Sequence, residues 1–112
     1  DAALGAILDC GPTTAVITLG AQGWIARDRS GSYRGEAFKA PVVDTLGAGD
    51  VFHGAFAFGL TRGWDTPRCC EFASAVAAIK CGQVGGRTGI PSLEQALDFL
   101  RRRGTLDWNG AC

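Results

Sequence analysis

The sequence predicts an α/β fold in which three short strands are followed by three helices. The first indication is a β-branched segment at residues 15–19, which is bounded by turn residues and is typical of a buried strand. The second is the set of three longer segments of helical character after residue 48. The third is the length, since 112 residues allow at most one domain with a modest core.

The strands are expected at Ala15–Leu19, Trp24–Arg27 and Ser32–Phe38. The turn at Gly20–Gly23 joins the first two strands into a hairpin. A second turn at residues 28–31 leads into the third strand, which alternates only weakly between apolar and polar residues. We therefore expect this third strand to be exposed.

The first two helices are expected to be mostly buried. Gly49–Thr61 is apolar nearly all round, which predicts burial on more than one face, and Arg62–Gly63 ends it. The second helix opens at Asp65 with Pro67 in its first turn, and its alanine-rich body covers Cys69–Lys80. Its small side chains permit the close approach of a neighbouring helix or of a flat ligand.

The third helix carries the clearest capping signals of the chain. Ser92 is the expected N-cap residue, and Gln95 completes a capping box. Arg101–Arg103 suits the negative end of the helix dipole and Gly104 ends the helix, so a solvated helix end is favoured over a nucleic-acid patch. The remaining residues, 105–112, are expected to be a loose tail. The apolar face of this third helix, which is expected to point inward, consists of Leu93, Ala96, Leu97 and Leu100.

The charge balance gives no indication of a strongly basic or acidic surface. Lysine and arginine together number 11, as do aspartate and glutamate, so we expect neither nucleic acid nor a membrane as a partner. No apolar run reaches membrane-spanning length and no signal-peptide layout is present, so we expect a cytoplasmic location.

The cysteines argue against a disulfide framework and against zinc. There are five of them, an odd number, with no Cys-x-x-Cys spacing and a single histidine in the chain, which favours reduced thiols. The sequence begins at Asp1 and contains no methionine, so we expect it to be a piece of a longer protein.

The segment at residues 42–57 is the strongest candidate for a functional site. Gly47 and Gly49 flank Ala48 where a helix is expected to begin, so backbone N–H groups can converge there on an anion such as phosphate. Asp50 then lies in the first helical turn beside that anion, where it could accept a proton from an attacking hydroxyl. Alternatively, Asp44 and Thr45 only cap the helix and Asp50 favours its dipole. Both interpretations remain open from the residues alone.

Two other phosphate motifs do not fit this segment. No Gly-Lys-Ser/Thr follows the glycines, as a P-loop would require, and a dinucleotide fingerprint beginning at Gly47 would need glycine where Phe52 stands.

Residues 44–50 resemble the second signature of the ribokinase-like (PfkB) carbohydrate kinases, Asp-Thr-x-Gly-Ala-Gly-Asp. The resemblance implies that Asp50 is the catalytic base and that the backbone of Gly47, Ala48 and Gly49 forms the anion hole. It further implies the C-terminal part of a three-layer α/β/α fold and an ATP-dependent phosphotransferase acting on a hydroxyl of a sugar or a sugar-like substrate.

The same resemblance implies a nucleotide site with Mg²⁺. Thr18, Gly20 and Gly23 match a Thr-x-Gly-x-x-Gly turn that touches the nucleotide in that family, and Thr45 joins them. A plain hairpin turn with two glycines is the alternative for the first three. The helix at residues 69–80 and the loop after it flank the adenine in the family.

A monovalent cation such as K⁺ is also implied, held mostly by backbone carbonyls. Gly89 has no hydroxyl where some members carry serine, so that ligand would be lost or supplied by the backbone. Arg87, in the same glycine-rich loop, is either a solvated charge or a partner of phosphate. The implied cation ligands are Asp44, Leu46, Lys80, Gln83, Gly85 and Gly89.

The resemblance extends from about Ala15 to Leu100, and it implies that residues 1–112 are only the C-terminal, nucleotide-binding portion of such a kinase. The first signature, the sugar-binding face, the lid strands and the Asn-x-x-Glu magnesium motif have no counterpart here. The last absence follows directly from the sequence, because the only asparagine is Asn109. We therefore expect the isolated chain to be inactive. A homodimer is the candidate assembly of the full-length protein. The alternative function is a non-catalytic fragment that binds a nucleotide or phosphate.

Overall fold

The computed structural model describes residues 14–38, 48–82 and 91–108. It contains three strands followed by three helices, as the sequence predicts. The strands are β1 (Thr14–Thr18), β2 (Trp24–Asp28) and β3 (Gly31–Gly35), and a short 3₁₀ helix, Gly20–Gln22, lies between the first two. The helices are α1 (Ala48–Thr61), α2 (Thr66–Cys81) and α3 (Leu93–Arg103).

The strands form one antiparallel sheet in the order β1-β2-β3. Ile17 pairs with Ile25 across the predicted hairpin, and Ile25 pairs with Arg34 of β3. The third strand ends at Gly35, so its predicted extension to Phe38 is wrong. Gly35 lies against the Trp24 ring, where a side chain on residue 35 would collide with the indole.

Helix α2 is the centre of the molecule, because it packs against α1, α3 and strands β2 and β3. Its close approach to α1 depends on Gly59, since a Cβ there would lie 2.8 Å from Cys69 Sγ. The main core brings together buried side chains of all three helices. A second cluster, Trp24, Ala26 and Cys70, joins the sheet to α2.

Helix α1 is less buried than its composition predicts. Phe52 and Ala55 face the core, but Ala57 is exposed and Leu60 retains 53% of its accessible surface. The prediction of burial on more than one face is therefore wrong for the described part of the chain. None of the described helices is long and apolar enough to cross a membrane.

The helix ends form as the capping signals predict. Asp65 accepts a hydrogen bond from the Arg68 backbone N–H at 3.1 Å, which begins α2. Ser92 and Gln95 make both hydrogen bonds of a capping box at the start of α3. Gly63 ends α1 with a φ of 76°, a conformation that a glycine adopts without strain.

The segment after α3 is not the loose tail that the sequence predicts. Trp108 is 1% exposed and packs edge-to-face on Trp64, with ring centroids 5.2 Å apart. The buried Glu71 carboxylate of α2 holds the segment through Trp108 Nε1 at 2.7 Å and the Thr105 backbone N–H at 3.0 Å. The Thr105 hydroxyl and the Leu106 N–H donate to the same carboxylate.

Candidate functional site

Helix α1 begins inside the Gly-Ala-Gly sequence, at Ala48. This agrees with the predicted helix start within one residue, and it places Asp50 in the first turn. The first N–H groups of an α-helix have no acceptor within that helix, so they are available to another group. The preceding site residues, Asp44, Thr45, Leu46 and Gly47, lie outside the described residues.

The start of α1 is sterically open. A Cβ built on Gly49 would meet no atom within 4 Å, and both Gly49 and Asp50 are exposed. Within the described parts of the chain, no group donates a hydrogen bond to the Asp50 carboxylate. Among the described residues, nothing occupies the acceptor sites of this carboxylate.

His53 lies one turn after Asp50 on the same helix and is exposed. Its Nδ1 is 2.8 Å from the carbonyl oxygen of Gly49. A single histidine within an apolar helical segment predicts a packed or helix-lining side chain rather than a ligand. The exposed His53 ring contacts its own helix, so it is helix-lining and not packed. The hydrogen bond itself was not predicted, although the four-residue spacing permits it in any helix.

The turn between β1 and β2 is compact and self-contained. The Leu19 N–H donates to the Gly23 carbonyl at 2.7 Å, and the Gly23 N–H donates to the Gly20 carbonyl at 3.1 Å. Thr18 and Leu19 are exposed at its rim. Gly20 has a φ of 59° with no atom within 4 Å of a Cβ built there, so the turn leaves open space at that glycine.

Gly23 differs from Gly20 because its role in the fold is structural. It is buried with a φ of 95°, and a Cβ there would lie 2.8 Å from Glu36 Cα and would collide with the Gly35 carbonyl. The glycine thus allows the end of β3 to pass over the turn. Both interpretations of the turn remain available, since Gly23 shapes it and Gly20 leaves it accessible.

The turn and helix α1 belong to one packed unit. Val16 of β1 and Phe56 of α1 both pack against the cluster of Trp24, Ala26 and Cys70. The strand that leads into the glycine turn and the middle of α1 therefore contact the same buried cluster.

Lys80 is the one predicted cation ligand within the described residues, and its burial was not predicted. Its backbone carbonyl accepts a hydrogen bond from the Gly82 N–H. Its side chain is 0% exposed, and Nζ has no hydrogen-bond partner in the described parts of the chain. A buried ammonium without a partner is energetically unfavourable. Gln83, Gly85 and Gly89 lie outside the described residues, as does Arg87.

The two buried thiols, Cys69 and Cys70, are poor nucleophiles. Burial raises the pKa of Cys69 to about 11 and that of Cys70 to about 12. The described cysteines, Cys69, Cys70 and Cys81, are all reduced, as the sequence predicts for them. No group of three or more His, Cys, Asp or Glu side chains in the described ranges could hold a metal ion.

Comparison with known proteins gives a consistent result. Residues 1–93 match the pfkB family carbohydrate kinases. The ribokinase of Lactococcus lactis is 38% identical over 86 residues, which are 77% of this chain and 29% of the relative. The 5-dehydro-2-deoxygluconokinase of Geobacillus thermodenitrificans is 34% identical over 87 residues, 77% of this chain and 26% of the relative.

The fold is shared with a solved structure of a ribokinase II candidate from E. coli in complex with ATP and Mg²⁺. The two superpose with a TM-score of 0.85 at 26% identity, covering 91% of this chain and 33% of the other. The predicted ribokinase-like α/β fold is thereby confirmed. The chain spans only about a quarter to a third of the length of these proteins. By its sequence match and its fold, the chain belongs to the pfkB family of carbohydrate kinases.

Proposed function

We propose that this chain is the nucleotide-binding portion of an ATP-dependent kinase that phosphorylates a hydroxyl of a sugar or sugar-like substrate. The observation that carries the proposal is the exposed Asp50 carboxylate in the first turn of α1, beside unobstructed backbone at Gly49. The family membership supports the same conclusion.

In the proposed reaction, Asp50 accepts the proton of the substrate hydroxyl as its oxygen attacks the γ-phosphorus of ATP. The bond from that phosphorus to the β–γ bridging oxygen breaks, and ADP leaves. The N–H groups of Gly47, Ala48 and Gly49, the last two of which lie in the first turn of α1, stabilise charge on the transferring group. A carboxylate beside an anion site is otherwise unfavourable, and proton transfer explains its presence.

Nucleotide binding is proposed for the glycine turn, with Thr18 and Gly20 facing the ligand and Gly23 shaping the turn. Thr45 is proposed to join them. Mg²⁺ bound to the phosphates would neutralise part of their charge. The described residues offer it no ligand cluster, so we assign Mg²⁺ to the nucleotide and to parts of the site beyond them.

We also propose a site for a monovalent cation. Lys80 is the one proposed ligand of that site within the described residues. The Lys80 carbonyl already accepts one hydrogen bond, from Gly82, which leaves a second lone pair for a cation such as K⁺. The other proposed ligands are Asp44, Leu46, Gln83, Gly85 and Gly89.

The substrate is proposed to be a sugar or a sugar acid, because the relatives named above are a ribokinase and a 5-dehydro-2-deoxygluconokinase. The test is ADP release by the whole protein with ATP, Mg²⁺ and a panel of pentoses, hexoses, sugar acids and nucleosides. We expect one class of sugar to stimulate ADP release and to yield a phosphate ester detectable by phosphorus NMR.

Calorimetric titration with ATP separates this proposal from its alternative. Binding heat without phosphorylation of any substrate, including nucleosides, would contradict the kinase proposal. That result would support a non-catalytic nucleotide-binding protein instead.

A further inference from the structure

The contact between His53 and Gly49 shows which nitrogen of the imidazole carries a proton. A carbonyl oxygen can only accept a hydrogen bond, so Nδ1, which lies 2.8 Å from it, must carry the proton. In the neutral ring, Nε2 is then the unprotonated nitrogen. The contact is made at the helix surface, since the His53 side chain is exposed.

The Gly49 carbonyl belongs to the same peptide group as the Asp50 N–H. A hydrogen bond to the oxygen of an amide polarises the amide and makes its N–H a stronger donor. Because α1 begins at Ala48, the Asp50 N–H is among the first N–H groups of the helix and has no acceptor within it. The His53 hydrogen bond therefore acts on an N–H that is available to a ligand.

The same hydrogen bond also ties the second turn of α1 to the peptide that carries the proposed base. No described side chain packs on Gly49, because Gly49 and Asp50 are exposed and a Cβ on Gly49 would touch nothing. A rotation of the Gly49–Asp50 peptide would move both the Asp50 N–H and the attachment point of the Asp50 side chain. His53 opposes that rotation.

We propose that His53 is a positioning residue for phosphoryl transfer. Its Nδ1–H holds and polarises the Gly49–Asp50 peptide, so that the Asp50 N–H donates to the transferring phosphoryl group while the Asp50 carboxylate stays aimed at the hydroxyl. The inference rests on the kinase function proposed above. It assigns His53 no contact with the substrate.

A purely structural role would make a different prediction. A side chain that bonds to the carbonyl four residues earlier changes the stability of the helix, but it need not change the transfer step. The two roles separate when the rate of transfer and the stability of the protein are measured on the same variants.

The variants follow from the chemistry of the contact. His53→Asn keeps an N–H donor near the position of Nδ1, whereas His53→Phe keeps a ring and removes the donor. The loss of one neutral hydrogen bond corresponds to roughly a two- to tenfold change in an equilibrium or rate. We expect His53→Phe to lower kcat about fivefold on that scale, with the KM of the sugar unchanged, and His53→Asn to restore most of the rate.

Leu60→Ala is the matched control, because Leu60 is also exposed on α1 but lies more than two turns from Asp50. We expect this variant to keep the wild-type kcat. Thermal unfolding of all three variants reports any change in helix stability. Equal losses of kcat in His53→Phe and His53→Asn, or no loss in either, would overturn the positioning role.

Nitrogen-15 NMR of the imidazole tests the contact without any turnover. The His53 signals in the whole protein are those that disappear in His53→Asn, and we expect them to show the Nδ1–H tautomer. The Nε2–H tautomer would overturn the inference, even in an active kinase. Failure of the proposed function would appear differently, as an absence of phosphorylation by the wild-type protein with the Nδ1–H tautomer still present.

Discussion

Two carboxylates on neighbouring helices have opposite surroundings. Glu71 of α2 is 6% exposed and accepts hydrogen bonds from two backbone N–H groups, one hydroxyl and one indole. Asp50 of α1 is exposed, and no described group donates to its carboxylate. A carboxylate whose acceptor sites are filled stabilises the fold, whereas one that is left open can exchange protons with a ligand.

Glu71→Gln tests whether the buried Glu71 carboxylate stabilises the fold. The amide keeps the shape of the side chain, but it removes the charge and leaves buried donors of residues 105–108 without good acceptors. We expect the free energy of unfolding to fall by about 2–3 kcal/mol, the scale of hydrogen bonds to a charged group. Urea denaturation of the whole protein measures this loss, and hydrogen exchange at the Thr105 and Leu106 amides locates it.

Glu94→Gln is the control for that experiment. Glu94 is an exposed carboxylate in the first turn of α3, so its loss removes only a dipole interaction. We expect a change below about 1 kcal/mol. Equal losses in the two variants would show that Glu71 contributes no more than a surface charge.

Lys80 extends the comparison to a buried cation. Its Nζ is fully buried and has no described hydrogen-bond partner. A buried charged group is tolerated when it is hydrogen-bonded, as Glu71 is, and it destabilises the fold when it is not. Lys80→Met keeps the length and apolar stem of the side chain and removes the unsatisfied donor. We expect the free energy of unfolding to rise by about 1 kcal/mol. A destabilised variant would contradict this and would show that the ammonium has a partner beyond the described residues.

Replacing Asp28 is expected to change the stability of the protein least, because its side chain is only half-buried. A hydrogen bond from the Thr66 hydroxyl at 2.6 Å, with further ones from Ser30, Tyr33 and Gly31, holds the pKa of Asp28 below its ordinary value of 3.8. A carboxyl with a lowered folded-state pKa stabilises the protein above its unfolded-state pKa, and that stabilisation disappears as the pH falls through the folded-state pKa.

We therefore expect the Asp28 contribution to be complete above about pH 4 and to be lost at lower pH. Thermal unfolding from pH 2 to 6 should show a shallower acid decline in Asp28→Asn than in the wild type. Identical pH dependence in the two proteins would contradict the assignment. Thr66→Val should reproduce part of the change, because it removes the strongest of the hydrogen bonds.

The features that the sequence predicts well are local ones. The caps at Asp65 and Ser92, the end of α1 at Gly63 and the strand pairing across residues 20–23 depend on neighbours within a few positions of the chain. Local spacing also predicts the placement of Asp50 in a first helical turn. The physical forces involved act over one or two turns, so the pattern of residues is sufficient.

The features that were missed depend on contacts between distant segments. Glu71 lies more than 30 positions before the residues that it holds, and its sequence neighbours do not distinguish it from a surface glutamate. The burial of Lys80 and the exposure of Leu60 have the same origin. Trp108 was the one available signal, since a large aromatic residue is rarely left in a loose tail.

The central claim is that Asp50 acts in chemistry while Glu71 acts in folding, and one paired measurement tests it. Turnover, ATP affinity and the free energy of unfolding are measured for Asp50→Asn and Glu71→Gln of the whole protein. We predict that Asp50→Asn lowers kcat by about 10²–10⁴-fold, the range for removing a general base, and leaves ATP affinity and unfolding near wild type. Glu71→Gln should lose stability and keep its turnover per folded molecule. Wild-type turnover in Asp50→Asn would contradict the account.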